Sequence, residues 1–346
     1  MIKIKVIKNI IDFRSLKQEW DRLYNFSSSI FQSFTFNYYS WLYDLSLNSN
    51  NSLSIVVVKK GEIIQSIIPF YMDAKKRLRF INDNHIDFCD ILVNNEFDCN
   101  LFFQLLNDKL DFKFIQLLNF KGESKVAKVF SQIQTKRKYL SSHTEYSVLN
   151  ISKGDFPYNV LNYRSKQKHR INKMKKKFKD YEHQVLTVDK DHFPRNELER
   201  LKEIMIEKLD RKDFFLTNPT ISLISKLYKN GEVILSVMSH KGKLISMSII
   251  LNRSENNFQF WIDLFDTVPM INIINYINFI SYVSSFRDVS VSFGRGRYSY
   301  KESNFMPQFF SLYNCYIFNT TFDKYCYVIF DKIRFIFKLF YKKITS

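Results

Sequence analysis

Apolar and basic residues alternate through Ile2-Lys3-Ile4-Lys5-Val6-Ile7, the period-two pattern of a strand with one buried face. Extended along the first half, the pattern predicts a strand over 2–8, helices over 15–24 and 36–47, and strands over 53–59 and 62–71. Strand material over 77–93 follows, then a helix over 97–109, a strand over 113–119, a short helix over 123–134 and a strand over 145–151. The second half predicts a strand over 182–188, helices over 195–209 and 219–229, and strands over 232–239, 243–251 and 256–264. A helix over 270–285, a strand over 288–293, a loop and a strand over 309–318 complete it.

The two halves share one order of elements. Lys60-Gly61 and Lys241-Gly242 sit at the same place in each, joining two strands where a tight hairpin needs positive φ. Two copies of one α/β unit account for both the order and the echo. The expected divisions are 1–152, a basic connecting helix over 153–180, 181–320, and a C-terminal amphipathic helix over 321–346.

Composition narrows the partners. The 346 residues carry 35 Phe and 20 Tyr, material enough for two cores. Cys89, Cys99, Cys315 and Cys326 have no metal-ligand spacing, so reduced thiols and no metal are expected. No run reaches the roughly 18–20 apolar residues that span a bilayer, so the chain is expected in the cytoplasm. A net charge of +18 calls for an anionic partner. Half of it lies between Arg164 and Lys179, where nine Lys and Arg occur with no acid. That helix suits a nucleotide diphosphate, a tRNA backbone or lipid headgroups, or is a solvated linker. Over 322–341, Lys324, Asp331 and Lys338 recur every seven residues beside a wide apolar surface. It packs on the second unit or lies in a membrane plane with Lys342 and Lys343 beside headgroups.

The most informative stretch is Ser292-Phe293-Gly294-Arg295-Gly296-Arg297-Tyr298-Ser299-Tyr300-Lys301. It follows the alternation of Val289, Val291 and Phe293 and holds two of only seven glycines. A sharp bend offering cations and phenols at a strand end suits an anionic ligand. The stretch resembles the closing motif of the CelD/BcsL-type acyltransferases of the GNAT superfamily. Phe31-Gln32-Ser33-Phe34 with Trp41, Pro69-Phe70, Asp87-Phe88-Cys89-Asp90, Tyr163-Arg164-Ser165-Lys166 and Phe260-Trp261-Ile262-Asp263 resemble further segments of that family. The resemblance implies an α/β fold of two tandem GNAT-like units, each a mixed, mainly antiparallel sheet flanked by helices.

It also implies an acyl-CoA donor, acetyl-CoA first, held in the loop before the third helix by Pro269, Met270, Ile271 and Asn272. The family places glycine after that proline; Met270 and Ile271 stand here. Asp263 and Asp266 end the preceding strand and are candidates for the base, with Tyr300 as acid. Arg295, Arg297, Lys301, Arg164, Asp90 and Arg211 are candidates for binding an anionic substrate. No GxSxG occurs, and no cysteine has an activating neighbourhood, so a covalent route is not expected.

The resulting expectation is direct acyl transfer to an amino or hydroxyl group of an envelope-polysaccharide precursor, such as a nucleotide-linked or lipid-linked amino sugar. The second unit would hold the donor and a cleft between units the acceptor, with peripheral contact to the inner membrane. Two alternatives remain open: a FemAB-like transferase using aminoacyl-tRNA, and a non-catalytic membrane or nucleic-acid binding module on the same scaffold.

Overall fold

The computed structural model describes residues 2–27, 29–81, 83, 85–94, 99–133, 136–160, 163–211, 216–330 and 333. The chain divides into two compact units: residues 1–37, 45–143 and 312–346 form one, and residues 38–44 and 144–311 the other.

The first unit begins with β1 (Ile2–Ile7), α1 (Ile10–Ser15) and α2 (Lys17–Tyr24), and the start of α3 (Phe34–Tyr43). Strands β2 (Ser52–Leu53), β3 (Ile55–Lys60), β4 (Ile63–Ile68), β5 (Phe70–Met72), β6 (Arg77–Phe80) and β7 (Leu92–Val93) follow. Helix α4 (Cys99–Lys109), β8 (Phe114–Lys121), α5 (Lys125–Ser131) and the start of β9 (Lys138–Ile151) come next. One sheet runs β1-β3-β4-β7, and β8-β6-β5-β2 form part of another. Pairing is antiparallel except for β6 with β8, which run parallel with α4 between them.

The second unit holds the rest of β9, then α6 (Ser165–Lys177), β10 (Glu182–Leu186), α7 (Arg195–Lys208), α8 (Asn218–Lys229), β11 (Val233–His240), β12 (Lys243–Ser254) and β13 (Asn257–Phe265). It closes with α9 (Ile271–Phe286), β14 (Val289–Arg295), α10 (Ser299–Phe305) and the start of β15 (Gln308–Phe318). The strand order is β10-β11-β12-β13-β14-β9, again antiparallel save one parallel pair, β13 with β14, with α9 between them. The second unit is therefore one mixed, mainly antiparallel sheet with helices upon it, and the first has the same mainly antiparallel pairing divided over two sheets.

Local chemistry explains the elements of the second unit. Lys241 and Gly242 adopt φ of 50° and 72°, turning β11 into β12. Residues 245–251 of β12 are buried on both faces, because α7 and α9 both pack on it. Helix α9 is apolar nearly all round and is mostly buried over its first three turns, with residues 282, 285 and 286 exposed near its end. Its Ile273, Ile274, Ile277 and Ile280 join Phe258, Phe260, Val291 and Phe293 in one cluster.

The boundaries differ from those expected at 152 and 320. Strand β9 crosses the first: its residues 144–151 lie in the second unit, where Ile151, Asn150 and Leu149 pair with β14. Residues 312–318 of β15 pair with β8, so this stretch belongs with the first unit. Alternation identifies a strand but not its partner. Residues 321–330 are helical, with Phe322, Tyr325, Ile329 and Phe330 exposed. Apart from residue 333, the remainder of the expected C-terminal helix lies outside the described residues.

Candidate functional site in the second unit

Strands β13 and β14 start side by side and then part. They pair only at Asn257–Ser290, Phe258–Val291 and Gln259–Ser292. Beyond Gln259, β13 continues six residues with β12 alone. Trp261 is an extra residue there, since Ile249 faces Ile262 while Ile250 faces Phe260. Such a bulge bends the strand and re-aims its side chains. Carboxyl ends of parallel strands that diverge are a recurrent place for ligands.

Aromatic rings form the floor of this opening. Phe260 lies 4.0 Å from Tyr276 and 5.6 Å from Phe293, centroid to centroid, and Phe293 lies 4.7 Å from Phe305. Among these rings sits Asp263, the strand-end carboxylate singled out in the sequence. Ser248 donates to its Oδ1 at 2.7 Å, and the Tyr276 hydroxyl donates to its Oδ2. Residue 263 keeps some surface contact, yet its carboxylate is packed in protein, and that desolvation raises its pKa. The Tyr276 and Ser248 hydroxyls, and more distantly Lys301 and Arg211, oppose the rise without cancelling it. Burial, with the Asp263 charge second, pushes Tyr276 well above the usual phenol range.

Tyr276 is also hydrogen-bonded to Tyr300. Tyr300 is half-buried and stacks at 12° on Tyr298, itself exposed. A hydroxyl path thus runs from the surface at Tyr298–Tyr300 through Tyr276 to Asp263.

On its other side Asp263 continues into a polar seam. Ser236, Ser248 and Asp263 face one another across β11, β12 and β13. Asn275, fully buried on α9, donates to the Ser236 carbonyl at 2.9 Å and to the hydroxyls of Ser246 and Ser248 at 3.2 Å. Ser236 donates to Asn275 Oδ1 at 2.6 Å, so its oxygen accepts from His183 Nε2 at 2.9 Å. His183 therefore carries its proton on Nε2, and burial pulls its pKa down to about 4.

The other expected site residues have separate settings. Lys301 is 1% exposed and turns inward: its ammonium donates to the carbonyls of Gly294 at 3.2 Å and of Arg295 and Gly296 at 2.9 Å each. It holds the Gly-Arg-Gly bend shut rather than presenting a charge outward. Arg297 is exposed, bonded to Glu302 at 2.7 Å and 4.7 Å from the Phe309 ring centre. Arg295 is half-buried beside Gly296. Asp266 accepts from the amide of Thr267 at 2.7 Å; although desolvation raises its pKa, those Thr267 hydrogen bonds carry the balance below the usual value. It is an ionised loop cap.

Met270 adopts φ 70°, ψ 9° at the start of α9, the left-handed conformation in which glycine is easiest. No side chain caps that helix start. Ile271 is buried in the core, leaving the turn's backbone and the half-buried Asn272 as the polar features of 269–272. Arg164 is exposed at the start of α6, and the amide of Arg211 donates to the Met205 carbonyl at 3.0 Å after α7. Asp90 lies in the first unit, 1% exposed, accepting from the amides of Ile91 at 2.9 Å and Val126 at 2.8 Å. It anchors the first turn of α5 and faces no solvent.

Of the residues singled out in the sequence, the structure links Asp263 and Tyr300 through Tyr276; Tyr276, Asn275, Ser236 and Ser248 were not singled out. Ser246 and Ser248 stand two apart in the otherwise apolar run 244–251, which is the signal the sequence offers. Among the described residues, no group of His, Cys, Asp and Glu is arranged to hold a metal, and no helix is long and apolar enough to cross a membrane.

No protein-family model and no curated protein matches this sequence. Solved structures do match in fold. The crystallised FemX superposes with a TM-score of 0.56 at 10% identity, over 88% of this chain and 96% of that one. L-PGS from Bacillus licheniformis gives 0.55 at 12% identity, over 74% and 82%. A tandem GNAT protein from the clavulanic acid biosynthesis pathway gives 0.51 at 9% identity, over 91% and 98%. The chain has the tandem GNAT-like fold.

Proposed function

We propose that this protein is an acyltransferase moving an acyl group from acyl-CoA to an amino or hydroxyl group of a cell-envelope precursor, such as a nucleotide-linked or lipid-linked amino sugar. The observation that carries the proposal is Asp263: a carboxylate of raised pKa at the opening between β13 and β14, joined to the surface by two tyrosine hydroxyls. A raised pKa makes it a stronger base than an exposed carboxylate.

In this reading the acceptor sits against Tyr300. As its nitrogen or oxygen attacks the thioester carbon, its proton passes to Tyr300. Tyr300 gives its own proton to Tyr276, and Tyr276 gives its proton to Asp263. Neither phenol ionises, which suits the high pKa of Tyr276. The carbon–sulfur bond breaks with its electron pair on sulfur, and the thiolate takes a proton from water. The start of α9, which no side chain caps, is suited to the donor's phosphates through its helix dipole.

Asp263→Asn is expected to lower kcat by about 10²–10⁴-fold, the usual worth of a positioned base, with KM for the donor little changed. Unchanged kcat in a folded Asp263→Asn protein would remove Asp263 from the chemistry.

A second reading, transfer from aminoacyl-tRNA to a cell-wall precursor, is favoured by Met270, whose side chain stands where glycine would let a pyrophosphate approach the backbone. Calorimetry with acetyl-CoA, longer acyl-CoAs and charged tRNA separates the two. A tRNA donor gives an affinity that falls steeply with salt.

A further inference from the structure

Helix α6 carries its charges without acidic partners. Among the described residues, none of the nine Lys and Arg between Arg164 and Lys179 forms an ion pair. Ile171, Met174 and Phe178 turn inward, toward α9 and α10. Lys168, Asn172 and Lys175 recur at helical spacing, so they form one stripe along a flank of that buried face, and exposed Lys179 follows in the turn after α6.

Two contacts fix what lies beside the stripe. The Tyr158 hydroxyl donates to Asn172 Oδ1 at 2.8 Å, and Lys175 Nζ to Ser281 Oγ at 3.4 Å. Next to Ser281 on α9 is Tyr282, whose ring meets Phe286 at 5.3 Å, nearly edge-on at 79°. Tyr158, Tyr282 and Phe286 are 48%, 47% and 57% exposed. A solvated linker accounts for the lysines. It does not account for three exposed rings gathered beside them.

We propose that this face of the second unit docks on an anionic lipid bilayer. The lysines meet headgroup phosphates, and the rings enter the interfacial layer, where amphipathic aromatics are favoured. RNA fits less well. Base stacking needs open ring faces along a groove, whereas Tyr282 and Phe286 pack edge-on against each other on a convex helix. The proposal is independent of the transfer chemistry, because vesicle binding needs no turnover; either can fail alone.

The test is co-sedimentation of the full chain with vesicles of phosphatidylcholine, with and without about one-third phosphatidylglycerol. Binding is expected only to the anionic vesicles. Lys168→Gln/Lys175→Gln/Lys179→Gln should weaken it about a hundredfold, at about fivefold per lysine. Tyr282→Ser/Phe286→Ser should weaken it about tenfold, and this loss should persist in high salt, unlike that of the lysines. Lys3→Gln/Lys8→Gln/Lys60→Gln removes the same charge from exposed positions of the first unit and should bind within about threefold of wild type. If the lysine triple loses its thermal transition, the exposed aromatic pair carries the test. An equal loss in the first-unit triple overturns the proposal, as does a ring pair without effect. So does a chain that ignores anionic vesicles, or one that retains tRNA through these lysines instead.

Discussion

His183 and Asp263 lie at opposite ends of one polar seam and titrate with opposite consequences. His183 has its pKa drawn down to about 4 by burial, so the native state keeps it neutral where the unfolded chain protonates it near 6.5. Its contribution is complete above about pH 6.5 and is lost as pH falls toward 4. The shift corresponds to roughly 3 kcal/mol, so His183→Gln should flatten the acid limb of unfolding free energy against pH by that order. Asp263 has its pKa raised, so the native state holds a proton the unfolded chain has released. Stability on its account falls as pH rises from the usual carboxylate value through the raised one, and Asp263→Asn should abolish that decline. Chemical denaturation of the three proteins across this range checks both signs. Asp263 was legible because a strand-end acid stands out. Ser236, Ser248 and Asn275 were not, because a buried polar residue gains its meaning from strand register, which a single sequence does not display.

At the level of elements, the Gly-Arg-Gly bend is held from both sides. Gly296 has φ 88°, and an added Cβ would come within 2.5 Å of the Tyr298 ring. Gly296→Ala should therefore cost about 1–3 kcal/mol and displace Tyr298 from its stack on Tyr300, seen as a lower Tm and altered tyrosine fluorescence. Lys301→Met leaves three carbonyls without their donor and should cost about 3 kcal/mol or more by denaturant unfolding. Were Lys301 a surface cation, the same change would cost almost nothing. Strands, long helices and both Lys-Gly hairpins were readable, since apolar period and turn chemistry act locally. Helix α10 has no signature in the sequence, where a loop is expected: seven residues give too few turns for an apolar stripe, and the helix is pinned by Lys301, whose partners lie upstream.

Across the whole molecule, the duplicated order was readable and the way the chain shares it between units was not. Both β9 and β15 divide between units, and hydrophobic alternation carries no record of which edge a strand will join. Most of the expected C-terminal helix lies outside the described residues. Each unit nonetheless repeats the same device, a parallel strand pair with a helix between its members: β6 with β8, and β13 with β14. The latter has a tyrosine-linked carboxylate where its strands part, and ligand stabilisation is expected to reside there. Acetyl-CoA at a hundred times its Kd should stabilise the protein by about 2.7 kcal/mol, and Asp263→Asn should retain that gain because it removes a base rather than a donor contact.

The most direct measurement is release of free CoA from acetyl-CoA in the presence of a nucleotide-linked amino sugar, followed against pH for wild type and Asp263→Asn. The account predicts acceptor-dependent release in the wild type, rising with pH through one ionisation above the ordinary carboxylate range and lost in the variant. A folded Asp263→Asn protein with the wild-type rate and pH profile would contradict it.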